Sequence, residues 1–261
     1  MNAATEYRWT SASSSHAGMV RQKNEDAFLN EPGRGLWAVA DGMGGHAFGE
    51  FASGMVVDAL DDLAQPDSLA AYVAAARAQL QSVNGELREE AVSRDVMVIG
   101  STVVVLLAHG RRCACLWAGD SRLYLYRGGQ LRQLTRDHSQ AEEYRSGGFR
   151  PKGGVRRPPR NTITRAIGAA DTLELDEETL DVHGGDMFLL CSDGLSNEVD
   201  EQQICNALLA GDCVYATETL IDLALEHGGR DNVTVIVARA DDPDSDEQTV
   251  LNPALGSDRL G

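Results

Sequence analysis

Several protein classes are excluded by what this 261-residue chain lacks. No apolar run approaches the ~20 residues that cross a bilayer. Met1 to Glu6 has neither the basic region nor the apolar region of a secretory leader. Cysteine is scarce: there are five, an odd number, with no C-x-x-C pair and none with an arginine six positions later. That argues against a disulfide framework, a cysteine–histidine metal site and cysteine-phosphatase chemistry. Cys113 and Cys115 stand two apart on an apparent strand, so they point the same way and are poorly placed to bridge. Reduced thiols in a cytoplasmic protein are expected. Positive charge is also short, with 23 Lys and Arg against 40 Asp and Glu and a net charge of −17. Nucleic acid and anionic membrane are therefore poor partners, and most of the charge serves solubility. A hydrophobic content of 43% supports a large core, within range for one α/β sandwich.

What is present is a carboxylate at the end of one apolar strand after another. In Val39-Ala40-Asp41-Gly42-Met43-Gly44-Gly45-His46 a strand ends on Asp41 and runs into backbone-permissive glycines. A fixed charge and a bare carbonyl then stand together where a hard cation can be held. One such run could be a plain turn. The pattern recurs at Gly119-Asp120-Ser121-Arg122, Ser192-Asp193-Gly194 and Arg230-Asp231-Asn232-Val233-Thr234, with Arg21-Gln22-Lys23-Asn24-Glu25-Asp26 upstream. Acidic stations without a Cys/His framework indicate an oxygen-only site for Mg²⁺ or Mn²⁺.

Periodicity predicts strands at 27–29 and 36–40, helices over 49–64 and 69–94, then a meander of strands at 102–109, 112–118 and 123–127. Strands follow at 179–183 and 187–191, helices at 201–210 and 215–227, and a last strand at 233–240. Residues 1–15 are polar and Ser-rich and expected to be a flexible segment, frayed until Trp9 enters a strand, residues 16–240 to form one catalytic domain, and the acidic end, 241–261, to be a disordered tail. Antiparallel strand runs with paired helices between them predict an α+β fold. The Gly/Pro-rich 138–162 stretch is too long for a plain connection. From Tyr144 to Ala170 no acid occurs, whereas Arg145, Arg150, Lys152, Arg156, Arg157, Arg160 and Arg165 all do. Such a basic stretch should attract an anionic partner.

Phosphate monoester hydrolysis needs neutralised phosphoryl oxygens and an activated nucleophile. Two divalent cations ~3.5–4 Å apart supply both, with an Arg fork for the phosphoryl group. Taken in order, the blocks resemble the type 2C metal-dependent protein phosphatases in their bacterial form. The match is carried by Arg21-x-x-Asn24-Glu25-Asp26, Asp41-Gly42-Met43-Gly44-Gly45-His46, Gly100-Ser101-Thr102 and Gly119-Asp120-Ser121-Arg122. It continues through Leu134-Thr135-Arg136-Asp137-His138-Ser139, Thr164-Arg165-Ala166-Ile167-Gly168, Ser192-Asp193-Gly194-Leu195 and Asp231-Asn232-Val233-Thr234. The resemblance implies a four-layer αββα sandwich, two antiparallel sheets flanked by helix pairs, with the cations in a cleft at one edge.

It further implies roles. Asp41 would bridge two Mn²⁺ or Mg²⁺ ions and the Gly42 carbonyl would ligate the second. Asp193 and Asp231 would complete the first, Asp120 would help hold a weaker third, and Glu25 and Asp26 would act through ordered water. Arg21 would bind phosphate, and the 138–162 flap, with Arg156, Arg157 and Arg160, would select substrate. Eukaryotic members carry His directly after the Asp-Gly, where this chain has Met43. The proton donor to the leaving alkoxide would then be His46, His138 or a metal-bound water, with capping of the helix near Gly49 the alternative role for His46. Gly100-Ser101-Thr102 is expected to shape backbone, Asp137 to bond its own turn, and Cys191 to be a buried core thiol.

The implied activity is hydrolysis of phosphoserine and phosphothreonine in proteins by a monomer opposing a cognate Ser/Thr kinase. The alternative is a catalytically weak, phospho-dependent interaction module of the same fold. A phosphodiesterase or nuclease is disfavoured by the net charge.

Overall fold

The computed structural model describes residues 7–44, 48–147 and 162–242. Among them, eleven strands form two antiparallel sheets. The first has the order β1 (Arg8–His16), β11 (Val233–Asp241), β10 (Met187–Cys191), β7 (Arg122–Arg127), β8 (Gln130–Gln133). The second has the order β2 (Asp26–Glu31), β3 (Leu36–Met43), β5 (Val103–His109), β6 (Arg112–Ala118), β9 (Asp176–Asp181), with the short β4 (Gly100–Ser101) also on β3.

The central strands are apolar on both faces, and alternation assigns each side chain to a layer. From β3, Leu36, Ala38 and Ala40 face a core shared with α1 (Gly49–Asp61) and α2 (Leu69–Ser93). Trp37 and Val39 face the other way, between the sheets, where they join Phe188, Leu190 and Ile236. Met187, Leu189 and Cys191 of β10 and Val233, Val235 and Val237 of β11 point outward under α5 (Glu201–Leu209) and α6 (Cys213–Glu226). The layers are thus helix pair, sheet, sheet, helix pair, as the resemblance implies. Cys113 and Cys115 are both free and buried between the sheets, and burial raises both thiol pKa values, that of Cys113 to about 12. Cys191 is buried as expected.

Two expectations need correction, and one strand was not anticipated. The segment expected to be flexible up to residue 15 is ordered from Arg8: the strand entered at Trp9 is β1, which pairs with β11 in unbroken register from Arg8↔Asp241 to His16↔Val233. Its serines are strand residues with hydrogen-bonded side chains, Ser15 to Thr234 at 2.7 Å and Ser11 to Asn30 at 2.6 Å. A Ser-rich sequence resembles a frayed end only until a neighbouring strand supplies its partners. The strand expected at 179–183 lies at Asp176–Asp181 instead, a charged edge strand whose alternation is carried by few apolar residues. Strand β8, Gln130–Gln133, is polar enough to escape a hydrophobic pattern altogether.

Candidate active site

Asp41 stands where β3 leaves the core. Its backbone is gripped on both sides: its N–H donates to Thr102 Oγ1 at 3.0 Å, and its carbonyl accepts from Thr102 N at 2.9 Å and Ser101 Oγ at 3.0 Å. Ser101 and Thr102 therefore fix the direction of the Asp41 side chain, a specific form of the backbone-shaping role expected of Gly100-Ser101-Thr102. Gly42 follows because nothing larger fits: a Cβ there would lie 2.0 Å from the Gly49 carbonyl oxygen and 2.6 Å from that of Glu25. At Gly49, the first residue of α1, a Cβ would meet the Gly42 carbonyl oxygen at 2.9 Å and Glu25 Oε2 at 3.0 Å. The Gly42 carbonyl and the Glu25 carboxylate thus converge on one small space kept open by two glycines.

Directly across the β2–β3 ladder from Asp41 is Asp26. Its Oδ2 accepts from Ser192 Oγ at 2.8 Å and Thr234 Oγ1 at 2.7 Å, while Oδ1 is buried without a partner. Asp120 Oδ1 and Asp193 Oδ1 are likewise buried and unpaired. Burial, then repulsion from Asp26, Asp193, Asp120 and Asp231, raises Asp41 well above the ordinary carboxylate range. Burial also pushes Asp26 and Asp120 up to about 7 and Asp193 to about 6, with neighbouring aspartates adding to each. Buried carboxylate oxygens without donors are costly unless a proton or a cation sits against them. The donor set is all oxygen, and it suits Mg²⁺ or Mn²⁺. Among the described residues no group of three or more acid, His or Cys side chains is drawn tightly enough to enclose a cation unaided. The fit therefore rests on the orphaned oxygens and their mutual repulsion; hard cations of this kind also take backbone carbonyls and retain water.

Asp193 opens the four-residue α4 (Asp193–Ser196), and its Oδ2 accepts from Asn197 Nδ2 at 3.1 Å. Asp231 Oδ2 accepts from an Arg21 guanidinium nitrogen at 2.8 Å, so the arginine expected on phosphate is paired here with an expected metal ligand. Beside it, Asn232 ties three points of the 17–25 segment together. Its Nδ2 donates to the Ala17 carbonyl at 2.9 Å and the Lys23 carbonyl at 2.8 Å, and its Oδ1 accepts from Glu25 N at 2.8 Å. Asn232, Ser192, Thr234, Ser101 and Thr102 are positioning residues that sequence reasoning left without specific roles. Each lies within the quoted blocks, one to three residues from an acid or, for Ser101 and Thr102, directly beside the strand that carries Asp41, which is the signal that could have found them.

Asp120, Arg122, Asp137 and Asp193 line a cavity of about 430 Å³ that α3 (Gln140–Arg145) also borders, through Ala141, Tyr144 and Arg145. Asp137 bonds its own turn, Oδ1 accepting from Gln133 Nε2 at 3.1 Å, and does more. It takes a two-pronged contact from Arg122, Nε to Oδ1 at 2.9 Å and a terminal nitrogen to Oδ2 at 2.7 Å. His138 is buried, with Nδ1 accepting from Gly119 N at 3.2 Å and Nε2 3.2 Å from Asp176 Oδ2. The ring proton therefore sits on Nε2, and burial lowers the pKa. A neutral ring engaged at both nitrogens braces the turn before Asp120 and has no proton free for a leaving group. His46 lies outside the described residues; α1 itself has Phe48 at its N-cap with no side-chain cap bond. Arg156, Arg157 and Arg160 also lie outside them, as does most of the expected flap and nearly all of the expected tail. The basic stretch is partly neutralised at its described ends, Arg145 by Glu142 at 2.7 Å and Arg165 by Asp176 at 2.8 Å.

Comparison with known proteins identifies the family and the fold. The model of the family described as protein phosphatase 2C matches residues 12–219. The serine/threonine protein phosphatase PstP of Mycobacterium tuberculosis is 38% identical over 256 residues, covering 95% of this chain and 48% of the relative. The chain thus spans about half the length of the mycobacterial relatives it matches. The serine/threonine phosphatase stp of Listeria monocytogenes is 34% identical over 86% of this chain and 93% of its own length. Among solved structures, PppA, described as a key regulatory component of T6SS in Pseudomonas aeruginosa, superposes with a TM-score of 0.85 at 47% identity, over 90% of this chain and 99% of that one. The PstP catalytic domain in complex with two manganese ions gives a TM-score of 0.75 at 37% identity, over the same shares.

Proposed function

The chain belongs to the protein phosphatase 2C family, and from that premise we propose that it hydrolyses phosphoserine and phosphothreonine in proteins with the help of two divalent cations, Mn²⁺ or Mg²⁺. The observation that carries this reading is the set of buried, donorless carboxylate oxygens on Asp26, Asp120 and Asp193, grouped electrostatically around Asp41. Asp41 and the Gly42 carbonyl would hold the two ions, Asp193 and Asp231 would complete one, and Asp120 would help hold a weaker third. Bound cations would neutralise phosphoryl charge and activate a water for attack. Glu25 and Asp26 would act through water; by engaging Oδ2, Ser192 and Thr234 leave the buried Oδ1 of Asp26 for that role.

Arg21 is all donor and cannot ligate a cation, so its fork is available to phosphoryl oxygens once Asp231 turns to metal. With His138 engaged at both nitrogens, the proton for the leaving alkoxide is left to His46 or to a water of the metal site. The regulatory description of PppA and the Ser/Thr specificity named for PstP and stp support a signalling role opposite a Ser/Thr kinase. A cytoplasmic monomer fits this role, its catalytic domain taking in β1 from Arg8 as well as the expected 16–240; no helix of the described residues is long and apolar enough to cross a membrane.

The test is turnover of p-nitrophenyl phosphate and a phosphothreonine peptide with Mn²⁺, with Mg²⁺ and with EDTA, beside a bis-ester control. Metal-dependent turnover of both monoesters and not of the bis-ester is expected. Metal binding without turnover would favour the weak interaction module, and full activity in EDTA would refute the two-cation reading.

A further inference from the structure

Two residues before Arg21 the chain presents two bare apolar side chains, Met19 and Val20, at 69% and 65% exposure. Isolated exposed apolar residues are ordinary on a protein surface. These two differ in how they are held. Met19 N donates to the Gly229 carbonyl at 2.7 Å, and Gly18 N donates to His16 Nδ1 at 2.9 Å. Gly18 has a φ of 80°, and a Cβ on it would lie 2.2 Å from the Asp231 carbonyl oxygen, so the turn is pressed against the loop that carries Asp231. The Met19 stem rests where Gly229 has no side chain: its Cγ and Leu225 Cδ2 are 3.0 and 3.1 Å from where a Cβ would be. The Asn232 side chain closes the segment by binding the Ala17 and Lys23 carbonyls on either side. Met19, Val20 and Arg21 are therefore consecutive residues of one clamped turn, the first two apolar and outward, the third paired with Asp231.

We propose that Met19 and Val20 form an apolar ledge that receives a hydrophobic residue of the substrate close in sequence to the phosphorylated Ser or Thr. This rests on the phosphoprotein reading given above and narrows it: the preferred occupant is a phosphosegment with an aliphatic or aromatic neighbour. The ledge adjoins the site through Arg21, the next residue, which is paired with Asp231, so a phosphoryl group taken by Arg21 would bring the adjoining substrate backbone beside the same turn. The clamping lowers the ordering cost of binding, and an adaptable Met beside a stiff Val can meet side chains of several shapes. Outward apolar groups gain from burial against a substrate side chain, and the expected gain in affinity is about tenfold.

The test uses the whole chain with Mn²⁺ and a set of phosphothreonine peptides of Ser and Ala background, each with one Leu placed from three residues before to three after the phosphothreonine. For the wild type, one or two Leu positions should raise kcat/KM about tenfold over the Leu-free peptide, mainly through KM. In Met19→Ser/Val20→Ser that preference should fall below about twofold, with p-nitrophenyl phosphate turnover within twofold of wild type. Met19→Leu should keep the preference. Equal kcat/KM for every peptide, or a preference that survives the double substitution, would overturn the ledge and leave the phosphatase reading intact. An equal loss on p-nitrophenyl phosphate would also overturn it, since the turn would then be shaping the metal site. Turnover of p-nitrophenyl phosphate but of no phosphopeptide would overturn the phosphoprotein reading, and the ledge with it.

Discussion

Asp26 and Asp41 are directly opposed residues of the β2–β3 ladder, so two carboxylates face each other across one antiparallel pair. Like charges so placed oppose strand pairing. The hairpin tolerates them because Ser192 and Thr234 donate to Asp26, and because protons or cations can sit against the rest.

Asp41→Asn should abolish turnover, by at least about a thousandfold in kcat/KM, since the charge both cations would share is gone. The same change relieves the repulsion with Asp26, so the melting temperature in EDTA should be no lower than wild type. Retention of a tenth or more of the activity in saturating Mn²⁺ would rule out the bridging role.

Stability should depend on pH in a direction set by the acids. Asp26, Asp120 and Asp193 have folded pKa values of about 7, 7 and 6, above their unfolded values. The folded chain then holds protons that the unfolded chain has released. The stability these groups allow is complete below about pH 4 and is lost as pH rises through 6 to 7. Burial lowers His138, which acts the opposite way below its unfolded value, one group against three. In EDTA the melting temperature should fall by on the order of 5 °C between pH 5 and pH 8, and Mn²⁺ should restore more at pH 8 than at pH 5. A flat or rising melting temperature in EDTA would contradict the burial of these carboxylates.

Arg21→Ala should raise KM for phosphopeptide about tenfold and leave the Mn²⁺ titration midpoint near wild type. A large loss of Mn²⁺ affinity with unchanged KM would assign Arg21 to holding Asp231 in place.

Asn232→Ala removes three hydrogen bonds to the 17–25 segment and should cost about 2–3 kcal/mol, with a matching loss in kcat/KM. Asn232→Asp keeps an acceptor for Glu25 N but has no donors for Ala17 and Lys23, so it should not rescue. Urea denaturation of both variants checks this; a wild-type midpoint in Asn232→Ala would mean the segment is held by other contacts.

Changing Arg156, Arg157 and Arg160 together to Ala should slow phosphopeptide turnover severalfold at low salt, with p-nitrophenyl phosphate turnover nearly intact. Equal losses on both substrates would place the segment in the chemistry, and no loss on either would leave its charges without a specific task.

The four layers were legible because β3, β5, β6, β10 and β11 are buried on both faces and read as long apolar runs, while α1 and α2 show helical spacing. The acids were legible because each closes or opens such a run. What escaped was polar. Beyond Trp9, strand β1 has too few apolar residues to be distinguished from a frayed end, and β8 fails for the same reason. The grip of Ser192 and Thr234 on Asp26 spans more than 160 residues, and no local pattern encodes it. His138 is a histidine whose neighbours, Gly119 and Asp176, decide that it braces rather than donates.

Asp26 belongs to one sheet, while Thr234, in β11, and Ser192, directly after β10, hold it from two inner strands of the other. The acidic cluster is therefore also a clasp across the mouth of the sandwich, and the spacing between its carboxylates records how the two sheets ride on each other. A small loss of filling between them, as in Phe188→Leu in the core between the sheets, should weaken the Mn²⁺ response at a temperature where the fold is still intact. An unchanged Mn²⁺ midpoint in that variant would mean that the clasp keeps its spacing independently of the core beneath it.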